Sequence, residues 1–321
     1  AAHRRFFAEL LGDVTEPTVP FGLGDVHGDA NAVRESRRRL SEATTHELRA
    51  LARQLSVSPA SLIHLAWATV LSRTSGSQDV VFGTVLFGRT QGLPHADSAM
   101  GVFINTLPAR IRLGERSVLT AARETQALLA DLMQHEHASL TVAQSASGVP
   151  AQTPLFTTFL NYRHAPPDEV LTASCEVLWS EERTNYPVGL LVDDLGSGLE
   201  LTAQVHPTLD PDDVCEMMEV ALCNLLRALA AAPQSAASDI DILSDRARAR
   251  VLYDWNATAE GYPENVCLHQ LVEAQVARTP NAAAVTFGDL TWRYRELNAH
   301  ANRLARHLRR LGAGPESLVG V

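Results

Sequence analysis

Lysine is absent from this 321-residue sequence, in which all 27 basic residues are arginine. A P-loop needs a lysine on the bound phosphates, and Schiff-base catalysis needs a lysine amine, so this stretch of chain carries neither. An ATP-dependent adenylation site that relies on a lysine is also incomplete here.

Cysteine pairs, long apolar runs and excess positive charge are missing as well. The four cysteines form no CxxC motif, so metal clusters and disulfide frameworks are not predicted and a reducing cytoplasm fits. No run of about 18 uncharged apolar residues and no secretory leader is present, so we expect no membrane span. The net charge of −10 lacks the overall positive charge that is typical of nucleic-acid-binding proteins. We therefore expect a cytoplasmic protein with neither a membrane nor a nucleic acid as partner.

The composition, with 45% hydrophobic and 20% charged residues, is typical of a globular protein of about two domains. Serines at 41, 58 and 117 and Pro211 mark helix starts in residues 1–231. Between these helices, strands are predicted at DVVFGTVLF, GVFINTLPARIRL, LFTTFLNYR, CEVLW, YPVGLLVDD and ELTAQVH. The alternation of helices and strands predicts a layered α/β sandwich.

The remaining residues divide into a linker and a second unit. Residues 232–262 are predicted to be a linker, because AAPQSAASD cannot build a core. Residues 263–321 begin a new unit with a helix near Leu268, a strand near Val285, a strongly amphipathic helix in YRELNAHANRLARHLRRL and a final strand at SLVGV. A strand–helix–strand unit of this size is not a finished domain, so we expect the chain to be a fragment of a longer protein.

Most familiar catalytic patterns are missing, and two polar strand ends remain as candidates. The sequence contains no HExxH or GxSxG motif, and the Asp193–Asp194 pair is interpreted as a solvated hairpin turn. Arg89 follows Gly88 at the end of a buried strand, where its planar guanidinium suits a carboxylate partner. The run NYRH, beginning at Asn161, closes another apolar strand in the way that clefts acquire polar groups. Alternatively, Arg89 is an ordinary surface arginine, and the polar run from Asn161 is simply the point where the strand leaves the sheet.

An ordered series of motifs resembles the C-terminal lobe of a condensation domain of nonribosomal peptide synthetases, followed by the opening of an adenylation domain. The segment MGVFINTLPARI is similar to the family motif GxFVNTLPxR. Four further segments resemble successive segments of the family, namely DVVFGTVLFGR, HEHASLTVAQSASG, PLFTTFLNYRH and RTNYPVGLLVDDLG. LTWRYRELNAHANRLARHLRRLGAG resembles the first adenylation motif with two extra residues. Together these segments span almost the whole chain.

The resemblance implies a fold, a reaction and partners. The fold would be a chloramphenicol-acetyltransferase-like α/β sandwich lobe, followed by a truncated α/β adenylation-domain N-terminus. The reaction would form an amide between a carrier-bound acyl or peptidyl donor and an aminoacyl acceptor. Partners would be the upstream and downstream peptidyl carrier domains with their 4′-phosphopantetheine arms, the N-terminal condensation lobe and the rest of the adenylation domain. No cofactor would bind directly, and the complete adenylation domain would use ATP and Mg²⁺.

The resemblance also assigns roles to individual residues. No two histidines are adjacent, so the HHxxxDG motif with the family's working histidine is missing, and no catalytic residue is assigned to this chain. Arg89 would pair with the aspartate of that motif across the lobe interface. For Asn105, a structural role is as plausible as a catalytic one. The residues expected at the tunnel or lobe interface are Arg89, Gly101, Asn105, Thr106, Asn161 and Tyr162.

Two alternative interpretations stay open at this point. The isolated chain could be a catalytically inactive scaffold or docking fragment, because the HHxxxDG lobe is absent. It could also be a lobe of a heterocyclisation or epimerisation relative, although an adenylation start directly after the linker argues against epimerisation.

Overall fold

A computed structural model describes residues 1–26, 33–88, 100–164, 182–262 and 265–320. The chain divides into two compact units, Ala1–Asp254 and Trp255–Val321. The predicted strand at CEVLW and the predicted site residue Arg89 lie outside the described residues.

Four of the described helices of the first unit begin where the sequence predicts, after Ser41, Ser58 and Ser117 and at Pro211. The hydroxyls of Ser41, Ser58 and Ser117 each accept a hydrogen bond from the backbone N–H three residues later, which satisfies an otherwise unpaired helical donor. The helices are α1 (Ala2–Leu11), α2 (Glu42–Leu55), α3 (Pro59–Ser75), α4 (Val118–Gln134), α5 (Leu140–Ala146), α6 (Pro211–Ala231) and α7 (Asp245–Ala249). Helix α1 was not predicted.

Within the described residues, six strands form one mixed sheet in the order β1-β6-β5-β4-β2-β3. The neighbours β2 and β4, and β4 and β5, are parallel, whereas the other neighbouring pairs are antiparallel. The parallel pairs matter for the site, because the carboxyl ends of β2, β4 and β5 meet at one edge of the sheet. The strands are β1 (Arg34–Arg39), β2 (Asp79–Leu86), β3 (Asn105–Arg112), β4 (Thr158–His164), β5 (Val188–Asp194) and β6 (Leu199–Val205).

The core lies between one face of this sheet and the helices α3, α4 and α6. Helix α3 packs against α4 and α6 as well as against β2 and β4. Its apolar side chains point in nearly every direction, and Trp67 is fully buried. A helix that is apolar all round belongs in a protein interior, as the sequence indicated.

A buried guanidinium links the end of helix α1 to the sheet. Arg110 of β3 makes two-pronged hydrogen bonds with Asp79 of β2, at 2.9 and 2.6 Å, and with Asp13 just after α1. Its Nη1 also donates to the carbonyl of Leu10, at 2.8 Å. The hydrogen bonds from Arg110 hold the pKa of Asp13 at about 2.

The first unit continues past residue 231, where the linker was predicted to begin. Ala237, Ile240 and Ile242 are buried in its core, and Ser244 caps α7 with a hydrogen bond to the Ala247 N–H. The Ala/Ser-rich composition concealed this packing, because only a few apolar residues of the segment carry it. How much of residues 232–262 acts as a linker stays a prediction.

The second unit contains α8 (Leu268–Arg278), β7 (Ala283–Phe287), β8 (Leu290–Arg293) and α9 (Tyr294–Arg310). Strands β7 and β8 form a two-stranded antiparallel sheet, and β8 was not predicted. The strand predicted at SLVGV is wrong for residues 317–320, which have no regular structure. A strand forms only when its backbone groups pair with a neighbour, and no described strand pairs with these residues.

No single helix within the described residues is long and apolar enough to cross a membrane. Helices α2 and α3 together have the necessary length and composition, but they meet at an angle of 109°. Helix α3 is also largely buried within the core.

Candidate active-site cleft

A cleft of about 690 Å³ opens at the carboxyl ends of β2 and β4, beside α4 and the first turns of α3. This volume lies within the usual range of small-molecule sites. Its lining combines an apolar majority with a few polar groups. The lining residues are Ser58, Ala60, His64, Thr84, Val85, Leu86, Phe87, Ile104, Gln126, Leu129, Ala130, Met133, Glu136, Asn161, Tyr162, Arg163 and His164.

The structure brings Asn161 and Tyr162 of the predicted site together in this cleft. Successive side chains of a strand point to opposite faces, so these two neighbours lie on opposite faces of β4. The Tyr162 hydroxyl donates a hydrogen bond to Oδ2 of Asp194, at 2.9 Å. Burial raises the pKa of Tyr162 well above its usual value, and the bond to the Asp194 carboxylate adds to the rise. Tyr162 is therefore a neutral hydrogen-bond donor at physiological pH.

Asp194 is the centre of a buried polar cluster and not part of a solvated turn. It is 5% exposed and accepts hydrogen bonds from Arg49 Nη2 at 2.6 Å and from the Gly196 N–H at 3.0 Å. Burial acts to raise the pKa of Asp194, but the bonds from Gly196, Tyr162 and Arg49 outweigh it and leave this pKa lowered. The interpretation of Asp194 as solvated was wrong because its arginine partner lies on α2, far away in the sequence.

His64 of α3 and Thr84 of β2 form a second polar contact in the cleft. His64 Nδ1 lies 2.7 Å from the carbonyl of Ala60, which can only accept, so Nδ1 carries the proton. Burial lowers the pKa of His64 to about 4, so the ring is neutral and its Nε2 accepts from the Thr84 hydroxyl at 2.8 Å. Both nitrogens of His64 are thus occupied within the protein.

Helix α4 supplies one wall of the cleft. Gln126, Leu129, Ala130 and Met133 follow the spacing i, i+3, i+4 and i+7, which places them on one side of the helix. The Gln126 Oε1 accepts from the Ser58 N–H at 2.7 Å, which ties this wall to the start of α3.

Among the predicted site residues that the structure describes, Gly101, Asn105 and Thr106 do not line the cleft. Asn105 donates both amide hydrogens to backbone carbonyls, those of Glu136 at 2.8 Å and Ala138 at 2.7 Å. It therefore fixes the loop after α4, which places Glu136 in the cleft. Thr106 packs over Gly83 within the sheet, and Gly101 is an exposed residue before β3.

Gly88, at the end of the segment that precedes Arg89, is required by its surroundings. Its φ is +74°, and a Cβ built there would lie 1.9 Å from the carbonyl oxygen of Phe103. The close approach brings the segment after β2 against the segment before β3. Only glycine satisfies both conditions without a backbone shift.

Sequence reasoning missed His64, Thr84 and the α4 wall. A histidine inside an otherwise apolar helix was the available signal for His64, since such a ring needs partners in the core. The described residues contain no group of three or more His, Cys, Asp or Glu side chains that could hold a metal ion.

Comparison with known proteins defines the class to which this sheet and cleft belong. The family model for the condensation domain matches residues 26–252, and that for AMP-binding enzymes matches residues 272–321. The chain therefore belongs to the condensation-domain family of nonribosomal peptide synthetases and carries the start of an AMP-binding domain. Its first unit has the chloramphenicol-acetyltransferase-like α/β fold of that family.

Individual relatives agree with this assignment. The chain is 47% identical to Malpinin synthetase of Mortierella alpina over 100% of its own length, and 45% identical to Malpibaldin synthetase of the same organism over 97%. It spans only 4% and 6% of the lengths of these two relatives. A crystal structure of a four-domain nonribosomal peptide synthetase bound to AMP and glycine shares the fold, with a TM-score of 0.65 at 17% identity over 97% of this chain and 25% of that one.

Proposed function

We propose that the first unit is the C-terminal lobe of a condensation domain and supplies one wall of the cleft in which an amide bond forms. The observation that carries this proposal is the cleft at the ends of two parallel strands, where Asn161 and Tyr162 lie in a chain that matches the condensation family. The donor would be an acyl or peptidyl thioester on one carrier domain, and the acceptor an aminoacyl thioester on another.

In this reaction the acceptor amine nitrogen attacks the carbonyl carbon of the donor thioester. A C–N bond forms, the C–S bond breaks, and the proton lost by the amine ends on the sulfur of the released phosphopantetheine thiol. Catalysis of this kind depends on orientation of the two substrates and on polar groups placed where charge develops. Asn161 is suited to those tasks, because its neutral amide can donate hydrogen bonds in the cleft, whereas Tyr162 gives its hydroxyl hydrogen to Asp194 and positions the strand end.

The 4′-phosphopantetheine would arrive on the carrier domains, and ATP and Mg²⁺ would serve the completed adenylation domain. The N-terminal condensation lobe would cover the cleft, and Arg89 would pair with its HHxxxDG aspartate.

The chain by itself would be an inactive scaffold. This second proposal is favoured by the absence of adjacent histidines and by His64, whose ring nitrogens are both occupied.

The test is a condensation assay with the intact synthetase, comparing wild type with Asn161→Ala. We expect the variant to lose rate while its thermal unfolding stays unchanged, since a cleft-lining amide is dispensable for the core. A fall in unfolding temperature with unchanged turnover would make Asn161 structural. Amide formation by the 321-residue chain alone would overturn its assignment as an inactive scaffold.

A further inference from the structure

We propose that the α4 wall of the cleft is a selectivity pocket for an uncharged, apolar amino-acid side chain of one carrier-bound substrate. This inference rests on the proposed function and adds the chemical class of the substrate. It is carried by the shape of α4, by the charge state of the cleft and by its volume.

Helix α4 has two apolar surfaces, and only one of them serves the core. Ala122, Thr125 and Leu132 are buried against the rest of the first unit. The other surface passes through Ala130 and Met133 towards the cleft. Leu129 also borders the cleft, but it is buried and belongs to the core. Ala130 is exposed and Met133 is 42% exposed.

The opposite side of the same space is also apolar. Leu86 lies at the end of β2, Phe87 follows it, and Ile104 precedes β3. Phe87 is 62% and Ile104 60% exposed. A large apolar side chain placed between these residues and α4 would remove apolar surface from water on both sides, which stabilises the complex.

The electrostatics of the cleft disfavour a charged guest. His64 is neutral and bonded at both nitrogens, so it offers no cation. Arg163 is held by both oxygens of Asp193, at 2.6 and 2.8 Å, and therefore offers no open site to a carboxylate. Glu136 is 1% exposed and lies 3.8 Å from Nε2 of His137. His164, which also lines the cleft, is 66% exposed and lies 3.7 Å from Oδ2 of Asp194. The titratable side chains of the lining thus already have polar partners, so a charged guest would lose its hydration here without an unpaired counter-ion.

The volume of about 690 Å³ admits a bulky aliphatic or aromatic side chain together with part of a pantetheine arm. Ala130 lies in the middle of the α4 wall and has no side chain beyond Cβ. A larger residue there would therefore occupy the space that the guest needs while leaving the core unchanged.

The experiment compares Ala130→Leu with Ala127→Leu in the intact synthetase. Ala127 is an exposed residue of the same helix that does not line the cleft, so it controls for the effect of leucine on α4. Carrier domains are loaded with alanyl, leucyl, phenylalanyl, aspartyl or lysyl pantetheine. The donor side and the acceptor side are varied one at a time, so that the two arms show which substrate fills the pocket.

We expect wild type to favour leucyl and phenylalanyl substrates on one side. Ala130→Leu should lower kcat/KM for those substrates by at least about tenfold and for alanyl substrates by less than about twofold. Ala127→Leu should change neither. Met133→Ala, which widens the mouth of the cleft, should raise the rate with phenylalanyl substrates relative to alanyl substrates. This variant replaces Ala130→Leu as the test if Ala130→Leu does not fold.

An equal loss for alanyl and phenylalanyl substrates, or a wild-type preference for lysyl or aspartyl substrates, would overturn the pocket. Calorimetric titration with N-acetylcysteamine thioesters of phenylalanine and alanine separates this inference from the proposed function. A phenylalanyl preference that Ala130→Leu abolishes supports the pocket even if no amide forms. If wild type shows neither turnover nor such a preference, both proposals fail.

Discussion

Tyr162 and Asp194 join two parallel strands of the central sheet through a 2.9 Å hydrogen bond at the edge where the cleft opens. The bond connects a cleft-lining phenol to a carboxylate that Arg49 of α2 also holds. The position of one wall of the cleft thus depends on an ion pair behind it.

Tyr162→Phe should lower the free energy of unfolding by about 1–2 kcal/mol, because it removes a hydrogen bond to a buried charge. Urea unfolding measures the change. Tyr186→Phe is the control and should change stability by less than about 0.5 kcal/mol, because the Tyr186 ring acts by stacking on Phe156. Equal losses in the two variants would show that the bond to Asp194 has no special weight.

The stability of the first unit should fall as the pH drops from about 6.5 towards 4. The unfolded chain binds a proton on His64 in this range while the folded chain does not, since burial lowers the folded pKa to about 4. Above the unfolded pKa of about 6.5, the neutral His64 ring costs the folded state nothing. Between that pH and the folded pKa of about 4, the free energy of unfolding falls by roughly 3 kcal/mol. His64→Gln, which cannot titrate, should flatten the pH dependence of urea unfolding. A slope unchanged in this variant would assign the acid sensitivity to other groups.

Arg110→Ala should loosen the junction between α1 and the sheet and cost about 2 kcal/mol, because it removes a nearly buried guanidinium together with its hydrogen bonds to Asp13, Asp79 and Leu10. Limited proteolysis near residues 11–16, together with urea unfolding, measures both effects. Arg112 touches the same carboxylates of Asp13 and Asp79 but is 42% exposed. Arg112→Ala should therefore cost less than about 1 kcal/mol. Similar proteolysis of the two variants would contradict the role given to Arg110.

Gly88→Ala should be far more damaging than Gly196→Ala, although the two glycines have φ values of +74° and +76°. The Gly196 position is open, so its variant bears only the conformational cost of about 1–2 kcal/mol. At position 88 the new methyl group would also meet the Phe103 carbonyl, which must move. Thermal unfolding compares the two variants, and equal losses would show that this contact yields easily.

The sequence predicted local features well and distant contacts poorly. The caps at Ser41, Ser58 and Ser117 depend on atoms three residues away, so a short window contains the whole signal. The burial of Asp194 depends on Arg49, which lies 145 positions earlier in the chain. The contact between His64 and Thr84 requires α3 to pack on β2, which no local pattern specifies.

The site followed the same rule. Asn161 and Tyr162 were predicted because a polar run closes an apolar strand, and the cleft has both of them in its lining. The α4 wall was missed because helical periodicity reveals apolar faces without saying what each face meets. Asn105 lies in the segment that is similar to the family motif GxFVNTLPxR, but its amide does not line the cleft. It donates hydrogen bonds to the backbone carbonyls of Glu136 and Ala138 after α4.

Arg110 places all five of its N–H groups on oxygen atoms of Asp13, Asp79 and Leu10 at once. An ammonium group has only three hydrogens and no flat geometry, so lysine could satisfy only part of this arrangement. Because the sequence contains no lysine, a single lysine introduced at the exposed Arg37 would supply a unique side-chain amine for chemical labelling. Position 110 does not tolerate the same exchange.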